Sequence, residues 1–369
     1  MKAVRILFAG GGTGGHVYPA LAVADELRRI RPEVGVTFVG THDRLESRVV
    51  PERGYDFRAI SISGFRRSFS LEGLLVPLKV VHALVQSLLL LARLKPAVVV
   101  GTGGYVSGPP VAAAWLLGIP TLLQEQNSYP GVTTRLLARL AKEVHVTFAT
   151  TGGYLSRRAT VHLTGTPTRP EIGTVSRRDA AERFGLDPDA VTLLVLGGSQ
   201  GAASLNDAML AMLPDLLRRH VQVVWATGSG EFKRVEEALR RALPAGDPRV
   251  HCVPYIDRVE DAYALADLAV ARAGATTLAE LMRAGVPALL VPYPHAAADH
   301  QTDNARTMVE AGAALMVKDA EVVASLGERL GLLLDDPARR CTMGARARSL
   351  AHPEAAREVA EAVLRLAER

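Results

Sequence analysis

Residues 4–30, VRILFAGGGTGGHVYPALAVADELRRI, join a short apolar run to a glycine-rich loop and an amphipathic segment. The run at 4–9 has the length and composition of a β-strand, and apolar residues at helical spacing follow the glycines. Glycines let the backbone approach a ligand closely, while the first turn of a helix offers free N–H groups and a positive dipole end. This stretch therefore predicts a strand, an anion-binding loop and a helix.

The same pattern recurs along the chain and restarts near its middle. Further apolar runs of strand length lie at 36–39, 97–100, 120–123, 191–196, 221–226, 268–271 and 287–292. Strands that alternate with helices predict parallel sheets covered on both faces, so the expected fold class is α/β. Because the run at 191–196 leads into a second glycine loop at 197–202, we expect two Rossmann-like domains.

The domain boundary is predicted in a stretch rich in glycine and proline that follows residue 164. The first domain then covers 1–164 and the second 165–349, and a helix over about 350–369 is expected to pack back on the first domain. Ligands of open α/β sheets bind beyond the carboxyl ends of the strands. Two such domains facing each other would therefore form a cleft that holds the site.

The composition is that of a soluble globular protein, with 369 residues, 48% hydrophobic and 22% charged. Its two cysteines, Cys252 and Cys341, indicate ordinary thiols in a reducing cytosol, and the early glycines leave no room for a signal peptide. Residues 1–164 carry 19 Lys and Arg against 10 Asp and Glu, whereas residues 165–369 carry 24 against 28. A basic first half favours an anionic partner. We expect an anionic membrane rather than nucleic acid, because no long basic run or RNA-binding motif is present.

The first glycine loop also satisfies a dinucleotide-binding fingerprint through Gly10, Gly12 and Gly15. A nicotinamide site needs an acidic residue at the end of the second strand as well, where this chain has VGT at 39–41. We therefore disfavour a nicotinamide cofactor, and a structural tight turn stays open. His16 follows the loop at the helix start, where the dipole favours a neutral imidazole suited to general-base work or to helix capping.

Two segments of the second half have the residues of a nucleotide site. The loop at 197–202 offers Ser199 and backbone N–H groups to a diphosphate, but it lacks the lysine of an ATP-cleaving P-loop. The segment at 272–280 runs from a strand end into a helix and carries Glu280. A carboxylate there can accept two hydrogen bonds from ribose hydroxyls, although acidic residues also stabilise helix N-termini by charge alone.

Two acidic or histidine-bearing segments resemble metal sites only superficially. The spacing of His295, Asp299 and His300 fits no standard zinc pattern and favours polar ligand contacts. The Asp-Pro-Asp sequence at 187–189 precedes a strand and is typical of a proline turn. We predict no metal site.

The most hydrophobic stretch, 74–92, predicts a helix largely buried under the sheet. Three of its polar residues, Lys79, His82 and Gln86, share one helical face, which argues against a membrane span. Aromatic residues interleaved with arginines precede it, a composition suited to a membrane interface. The predicted membrane patch consists of Phe65, Arg66, Arg67, Phe69, Leu74, Leu75 and Lys79.

Motifs spread in order from residue 10 to residue 305 together resemble those of glycosyltransferase family 28. They are GGGTGGHVYP at 10–19, TGGYVSGP at 102–109, EQN at 125–127, GTPTR at 165–169, GGSQGA at 197–202, AGATTLAE at 273–280 and Gln301 with Asn304 and Ala305. The resemblance implies a GT-B fold and an inverting transfer of GlcNAc from UDP-GlcNAc to the C4 hydroxyl of MurNAc in lipid I. The product would be lipid II for peptidoglycan synthesis. It also implies a peripheral position at the cytoplasmic face of the cell membrane, with no cofactor and no metal.

The resemblance also assigns roles to individual residues. It implies that His16 is the base, with Glu125 as the second candidate. The substrate-binding positions that it implies are Thr13, Gly14, Gly15, Asn127, Arg169, Ser199, Ile256, Ala275, Thr276, Thr277, Leu278, Ala279, Glu280 and Gln301. The chain departs from the family where Gln124 replaces a frequent histidine, and where threonines replace Asn and Val before Arg169.

Inversion requires one in-line attack by the acceptor hydroxyl, a base for its proton, and stabilisation of the charge on departing UDP. Helix N-termini and Arg169 can stabilise that charge without a metal. The sequence leaves His16 and Glu125 both open as the base. Other open functions are glycosylation of another lipid such as diacylglycerol, epimerisation of UDP-GlcNAc, and nucleotide-sugar binding without catalysis.

Overall fold

The computed structural model describes residues 4–62, 76–198 and 201–368. Backbone contacts divide the chain into two compact units, Met1–Thr168 with His352–Arg369, and Arg169–Ala351. The chain therefore crosses from the first unit to the second and returns for its last helix. The functional roles given above to the two domains stay predictions.

The first unit is built on one parallel sheet, which has seven strands within the described residues. Their order is β3-β2-β1-β4-β5-β6-β7. The strands are β1 (Arg5–Gly10), β2 (Gly35–Gly40), β3 (Asp56–Ala59), β4 (Val98–Gly103), β5 (Thr121–Glu125), β6 (Glu143–Val146) and β7 (Val161–Leu163). The order changes direction between β1 and β4, where an open α/β sheet leaves a crevice at the carboxyl ends of its strands.

The second unit repeats this arrangement in a parallel sheet that has six strands in the described ranges. Their order is β10-β9-β8-β11-β12-β13, so the direction changes between β8 and β11. The strands are β8 (Thr192–Leu196), β9 (Gln222–Ala226), β10 (Val250–Val253), β11 (Leu268–Ala271), β12 (Ala288–Leu290) and β13 (Ala314–Met316). The predicted pair of parallel α/β sheets is confirmed, and every apolar run above contributes a strand.

Helices connect the strands and cover both sheets. Those of the first unit before the crossing are α1 (Gly14–Ile30), α2 (Leu45–Glu52), α3 (Val76–Leu94), α4 (Gly108–Leu116) and α5 (Val132–Leu137). Those of the second unit are α6 (Arg177–Phe184), α7 (Ala203–Arg218), α8 (Phe232–Ala242), α9 (Val259–Leu265), α10 (Ala275–Ala284), α11 (His300–Glu310), α12 (Val322–Leu334) and α13 (Pro337–Ser349). The chain ends with α14 (Ala355–Ala367) in the first unit.

The apolar face of α14 completes a core of the first unit. Val359, Val363 and Leu366 are buried in one cluster with Leu27 of α1 and the side chains of β1 and β4 on that face. Burial of apolar side chains is the main favourable contribution to folding. The first unit therefore depends on a segment that follows the whole second unit in sequence.

Helix α3 differs from its expected burial. Its face with Ala83, Ser87 and Leu91 is buried, but the opposite face exposes large apolar side chains. No helix within the described ranges combines the length and the apolarity needed to cross a bilayer. The prediction of a largely buried helix is therefore wrong for one face, because α3 lies at the outside of the unit and packs against α4.

Replacement of Leu366 by alanine tests how much α14 stabilises the first unit. Leu366 is 2% exposed, and truncation of such a side chain typically costs about 2–5 kcal/mol in free energy of unfolding. Leu89→Ala makes the same chemical change at a site that is 55% exposed, where less than about 0.5 kcal/mol is expected. Urea denaturation of both variants measures the difference, and equal losses would contradict this role of α14.

Candidate active site

The glycine loop between β1 and α1 lies at the crevice of the first unit, and a carboxylate of the chain already binds it. Glu46, only 1% exposed, accepts a hydrogen bond from the backbone N–H of Gly12 at 3.0 Å. Its other oxygen accepts from the backbone N–H of Thr41 at 3.0 Å and from the Thr41 hydroxyl at 2.8 Å. A carboxylate with three donors is well compensated for its burial.

This contact adds two findings to what the sequence predicts for the loop. The N–H of Gly12 is committed to Glu46, so the anion bound at this point of the loop is internal. An acid does stand beside the end of β2, but it comes from the first turn of α2 and not from the strand end. Gly11 leaves it room, because a Cβ there would collide with the Glu46 carboxylate. Sequence reasoning missed Glu46, since only the fold of α2 over β2 brings it to the loop.

The predicted loop residues Thr13, Gly14 and Gly15 lie at the start of α1. Thr13 is exposed, and its carbonyl accepts from the backbone N–H groups of His16 at 3.1 Å and Val17 at 3.3 Å. Gly14 and Gly15 occupy the first two helical positions, where backbone N–H groups have no carbonyl partner within the helix. These positions place the two glycines at the positive dipole end of α1.

His16 is held by the carboxyl ends of the neighbouring strands. Its Nδ1 lies 3.1 Å from the carbonyl oxygen of Thr102 and 3.0 Å from Oε1 of Gln126. Gly103 permits this approach, because a Cβ there would lie 2.6 Å from Nδ1. The ring is thus bonded to β4 and to the segment after β5, rather than to the N-terminus of its own helix, which disfavours the helix-capping alternative.

Glu125, the second candidate base, is buried at the end of β5. Its carboxylate accepts from the backbone N–H and the side-chain amide of Asn127, both at 3.1 Å, and from the backbone N–H of Gly131 at 3.1 Å. These bonds use most of the acceptor capacity of a carboxylate. They fold the turn after β5 and orient Asn127, which is half-buried, so the contacts of Glu125 favour a positioning role.

In the second unit, Glu280 lies in the second turn of α10 and is 9% exposed. Its Oε2 accepts from the Tyr263 hydroxyl at 3.0 Å. Burial raises the pKa of Glu280 to about 7, against the opposing effects of the Arg169 charge and the Tyr263 hydrogen bond. This position is too far into the helix for the expected alternative of first-turn charge compensation. Tyr263 was not found from sequence, because it stands in an otherwise ordinary helical segment.

Arg169 lies near Glu280, and Ile256 belongs to the same buried cluster as the neighbours of Glu280 on α10. The guanidinium of Arg169 donates to the carbonyl of Asp257 at 3.1 Å and lies 3.7 Å from the Glu260 carboxylate. Ile256 is buried, and it lines a cavity of about 370 Å³ with Phe184, His251, Val253, Tyr255 and Asp257, among others. The structure therefore places Arg169, Ile256 and the helix that carries Glu280 in one region of the second unit, and their role in donor binding stays a prediction.

The remaining predicted site residues lie in α10 or beside it, except one that is not among the described residues. The residues at 275–279 form the first turns of α10, and Gln301 on α11 accepts from the backbone N–H of Tyr293 at 3.0 Å. Asn304 donates to the carbonyl of Ala273 at 3.3 Å, which ties α11 to the start of α10. Ser199 lies outside the described residues.

The predicted membrane patch is described only at Lys79, which is exposed on α3. The other predicted members lie outside the described residues: Phe65, Arg66, Arg67, Phe69, Leu74 and Leu75. In the part of the chain that is described, no group of three or more His, Cys, Asp or Glu side chains is arranged to hold a metal ion. The Asp-Pro-Asp sequence is a local turn, in which Asp187 accepts from the backbone N–H of Asp189 at 2.9 Å.

Comparison with known proteins gives matches along nearly the whole chain. The glycosyltransferase family 28 N-terminal domain matches residues 6–146, and the C-terminal domain of the same family matches residues 192–359. A relative from Salinibacter ruber is 45% identical over 369 residues, covering 100% of this chain and 98% of the relative. It bears the name UDP-N-acetylglucosamine--N-acetylmuramyl-(pentapeptide) pyrophosphoryl-undecaprenol N-acetylglucosamine transferase.

Two solved structures are also similar. The crystal structure of Acinetobacter baumannii MurG has a TM-score of 0.74 and 29% identity, covering 98% of this chain and 99% of that chain. A putative UDP-N-acetylglucosamine 2-epimerase from Listeria monocytogenes has a TM-score of 0.67 and 15% identity, covering 97% of this chain and 95% of that one. The second likeness shows the fold alone.

The raised pKa of Glu280 predicts a pH-dependent penalty on stability. Between its ordinary value of 4.5 and about 7, the folded chain holds a proton that the unfolded chain has released. The contribution of this group to the free energy of unfolding therefore falls as pH rises through that window. We expect Glu280→Gln to gain stability relative to the parent protein between pH 5 and pH 8.

Thermal unfolding at both pH values measures this gain. The matched control is Glu310→Gln, the same substitution at an exposed position on α11. A Glu280→Gln variant that follows the parent protein in parallel across the range would contradict the predicted effect of burial.

Proposed function

The chain belongs to glycosyltransferase family 28, and we propose that it transfers GlcNAc from UDP-GlcNAc to the C4 hydroxyl of MurNAc in lipid I, forming lipid II for peptidoglycan synthesis. The observation that carries this proposal is the full-length identity of 45% with a transferase of that name. The fold is GT-B, as the two parallel sheets and the solved structures show, so the predicted fold class is confirmed.

The second unit supplies the donor site in this proposal. The Glu280 carboxylate accepts hydrogen bonds from the two ribose hydroxyls of UDP, and Ile256 contacts the donor as well. Backbone N–H groups at the N-terminus of α10 bind the diphosphate, because the positive dipole end of a helix favours an anion. Arg169, Ser199 and Gln301 complete the contacts with the donor.

The first unit supplies the base and the acceptor contacts. His16 removes the proton of the C4 hydroxyl as its oxygen attacks the anomeric carbon from the face opposite UDP, which inverts that centre. We choose His16 over Glu125, because Glu125 is buried and bonded to three donors of its own turn. Thr13, Gly14, Gly15 and Asn127 contact the sugars. Arg169 and the dipole of α10 stabilise the negative charge that develops on UDP.

We also propose that the protein binds the cytoplasmic face of the cell membrane as a peripheral protein through its first unit. The exposed face of α3 carries apolar side chains three and four residues apart. They are Leu78, Val81, Val85 and Leu89, and Trp115 and Leu116 of the adjoining α4 are exposed as well. An exposed apolar patch of this kind marks an interaction surface. A bilayer is its partner in this proposal, because the acceptor is a lipid and the first half is basic.

The proposed reaction is tested by incubating the protein with radiolabelled UDP-GlcNAc and a lipid I analogue. Label is expected in the lipid product. Recovery of the label only as UDP-ManNAc would overturn the proposal in favour of an epimerase, and label in diacylglycerol would replace the acceptor.

Variants at His16 and Glu280 test catalysis and donor binding separately. His16→Ala should lower kcat by about 10²–10⁴-fold with UDP affinity unchanged, because only the transition state needs the proton acceptor. Glu280→Ala should weaken UDP binding by about 1–3 kcal/mol through the lost hydrogen bonds. Calorimetry and turnover assays measure both, with His42→Ala as the control at an exposed histidine. An equal loss of UDP affinity in His16→Ala would make His16 a donor contact.

The membrane surface is tested by flotation with vesicles of anionic lipid. Val81→Asp combined with Val85→Asp should abolish most binding, since charges on this face oppose insertion, while UDP affinity is retained. Val323→Asp, at a residue 57% exposed in the second unit, is the matched control. Charge reversal at Arg66 and Arg67 should weaken binding at low salt and make it less salt-dependent. Normal binding of the α3 double variant would place the surface elsewhere.

A further inference from the structure

We propose that Gln126 is a positioning residue that holds His16 in the tautomer with its proton on Nδ1, so that Nε2 faces the acceptor hydroxyl as the base. The inference rests on the proposed function only for the role of His16 in transfer. The tautomer itself follows from the contacts around the ring.

The amide orientation of Gln126 is fixed by its own partners. Gln126 is 1% exposed, and its Nε2 donates to the carbonyl of Thr102 at 2.7 Å and to Oε1 of Gln124. Both partners are oxygen atoms that accept, so the nitrogen of the amide must be the atom that faces them. The amide oxygen of Gln126 is therefore the atom turned toward His16.

This orientation determines which nitrogen of His16 carries the proton. The two atoms near Nδ1 are the amide oxygen of Gln126 at 3.0 Å and the carbonyl oxygen of Thr102 at 3.1 Å. Neither of them can donate, so a favourable contact requires an N–H at Nδ1. A neutral imidazole has a single N–H, and Nε2 then carries the lone pair. Within the described residues, Nε2 makes no hydrogen bond that would occupy it.

The same contacts serve the ring before and after proton transfer. In the reaction, the proton of the acceptor hydroxyl passes to Nε2, the oxygen forms its bond to the anomeric carbon, and the bond to UDP breaks with its electron pair on the leaving phosphate. The imidazolium that forms keeps its N–H at Nδ1, so no group around it must turn. A neutral amide thus orients the base without placing a full negative charge next to it.

Gln124 adds one more residue to the hydrogen bonds that orient Gln126 and His16. Its Oε1 accepts from the Gln126 amide, and its own Nε2 donates to the carbonyl of Gly165 at 3.4 Å. The Gly165 carbonyl and the side-chain amides of Gln124 and Gln126 therefore form a series of hydrogen bonds that ends at His16. Each group fixes the orientation of the next. This explains how glutamine at position 124, where the family often has histidine, still serves the site.

The test is made on the full-length protein with Gln126→Met, which keeps a similar side-chain volume but removes the amide oxygen. NMR of 15N-histidine-labelled protein, with His16 assigned by the loss of its signals in His16→Ala, reports the tautomer directly. We expect the Nδ1–H tautomer in the parent protein and a mixture with the Nε2–H tautomer in Gln126→Met, because only the Thr102 carbonyl then remains to accept from Nδ1. Turnover with UDP-GlcNAc and a lipid I analogue should fall at least about tenfold in kcat, while the KM for UDP-GlcNAc stays unchanged.

Gln222→Met is the matched control, because it removes another buried amide that bonds both ways, to the backbone N–H and carbonyl of Asp187 at 2.8 Å each. It should cost stability without changing kcat or the tautomer of His16. An Nε2–H tautomer in the parent protein would overturn the proposal even if Gln126→Met fails to fold. So would an unchanged tautomer in that variant. Absence of transfer by the parent protein would instead count against the proposed function, since the NMR readout requires no activity.

Discussion

In both sheets of this protein, successive strands are added first on one side of the first strand and then on its other side. The candidate site depends on this change of direction. At the point of change, no crossover helix covers the carboxyl ends of the two central strands. In the first unit these are the ends of β1 and β4, where the glycine loop and Thr102 lie. In the second unit they are the ends of β8 and β11, and α10 begins after β11 with the positive end of its dipole. The same topology thus places a helix N-terminus beside the crevice twice, and the side chains around each N-terminus differ between the two units.

Two buried carboxylates illustrate how the surroundings decide the task. Glu46 is bonded to three donors of its own unit, so it stabilises the loop and has little capacity left for a ligand. Glu280 accepts from Tyr263, and burial raises its pKa to about 7. A buried carboxylate with a raised pKa is stabilised by further hydrogen-bond donors, because each new hydrogen bond favours its charged form. In the proposed function, the ribose hydroxyls of the donor nucleotide supply them, so the energetic cost of burying Glu280 would favour a ligand with two adjacent hydroxyls.

The exposed apolar face of α3 also has an energetic cost in water. A helix with large apolar side chains on its outer face gains nothing from them in water, where they add to the surface that must be hydrated. In the proposed membrane binding, insertion of this face into the bilayer would recover that cost. The helix stays attached to the unit through its inner face, where Ala83 and Leu91 are buried, so insertion of the outer face need not disturb the fold.

The sequence by itself determined the two parallel α/β sheets and the family, and it located the segments around Arg169 and Glu280 that are proposed to bind the donor. These follow from local patterns, since apolar runs of strand length, glycine loops and helix starts are set by neighbours in the chain. Only the tertiary structure decided what surrounds them. Glu46 reaches Gly12 across 34 positions and Gln126 reaches His16 across 110, and both contacts require strands that are brought side by side by folding. The outer face of α3 was misjudged for the same reason. Hydrophobicity is a property of the segment, but burial depends on what the rest of the chain packs against it.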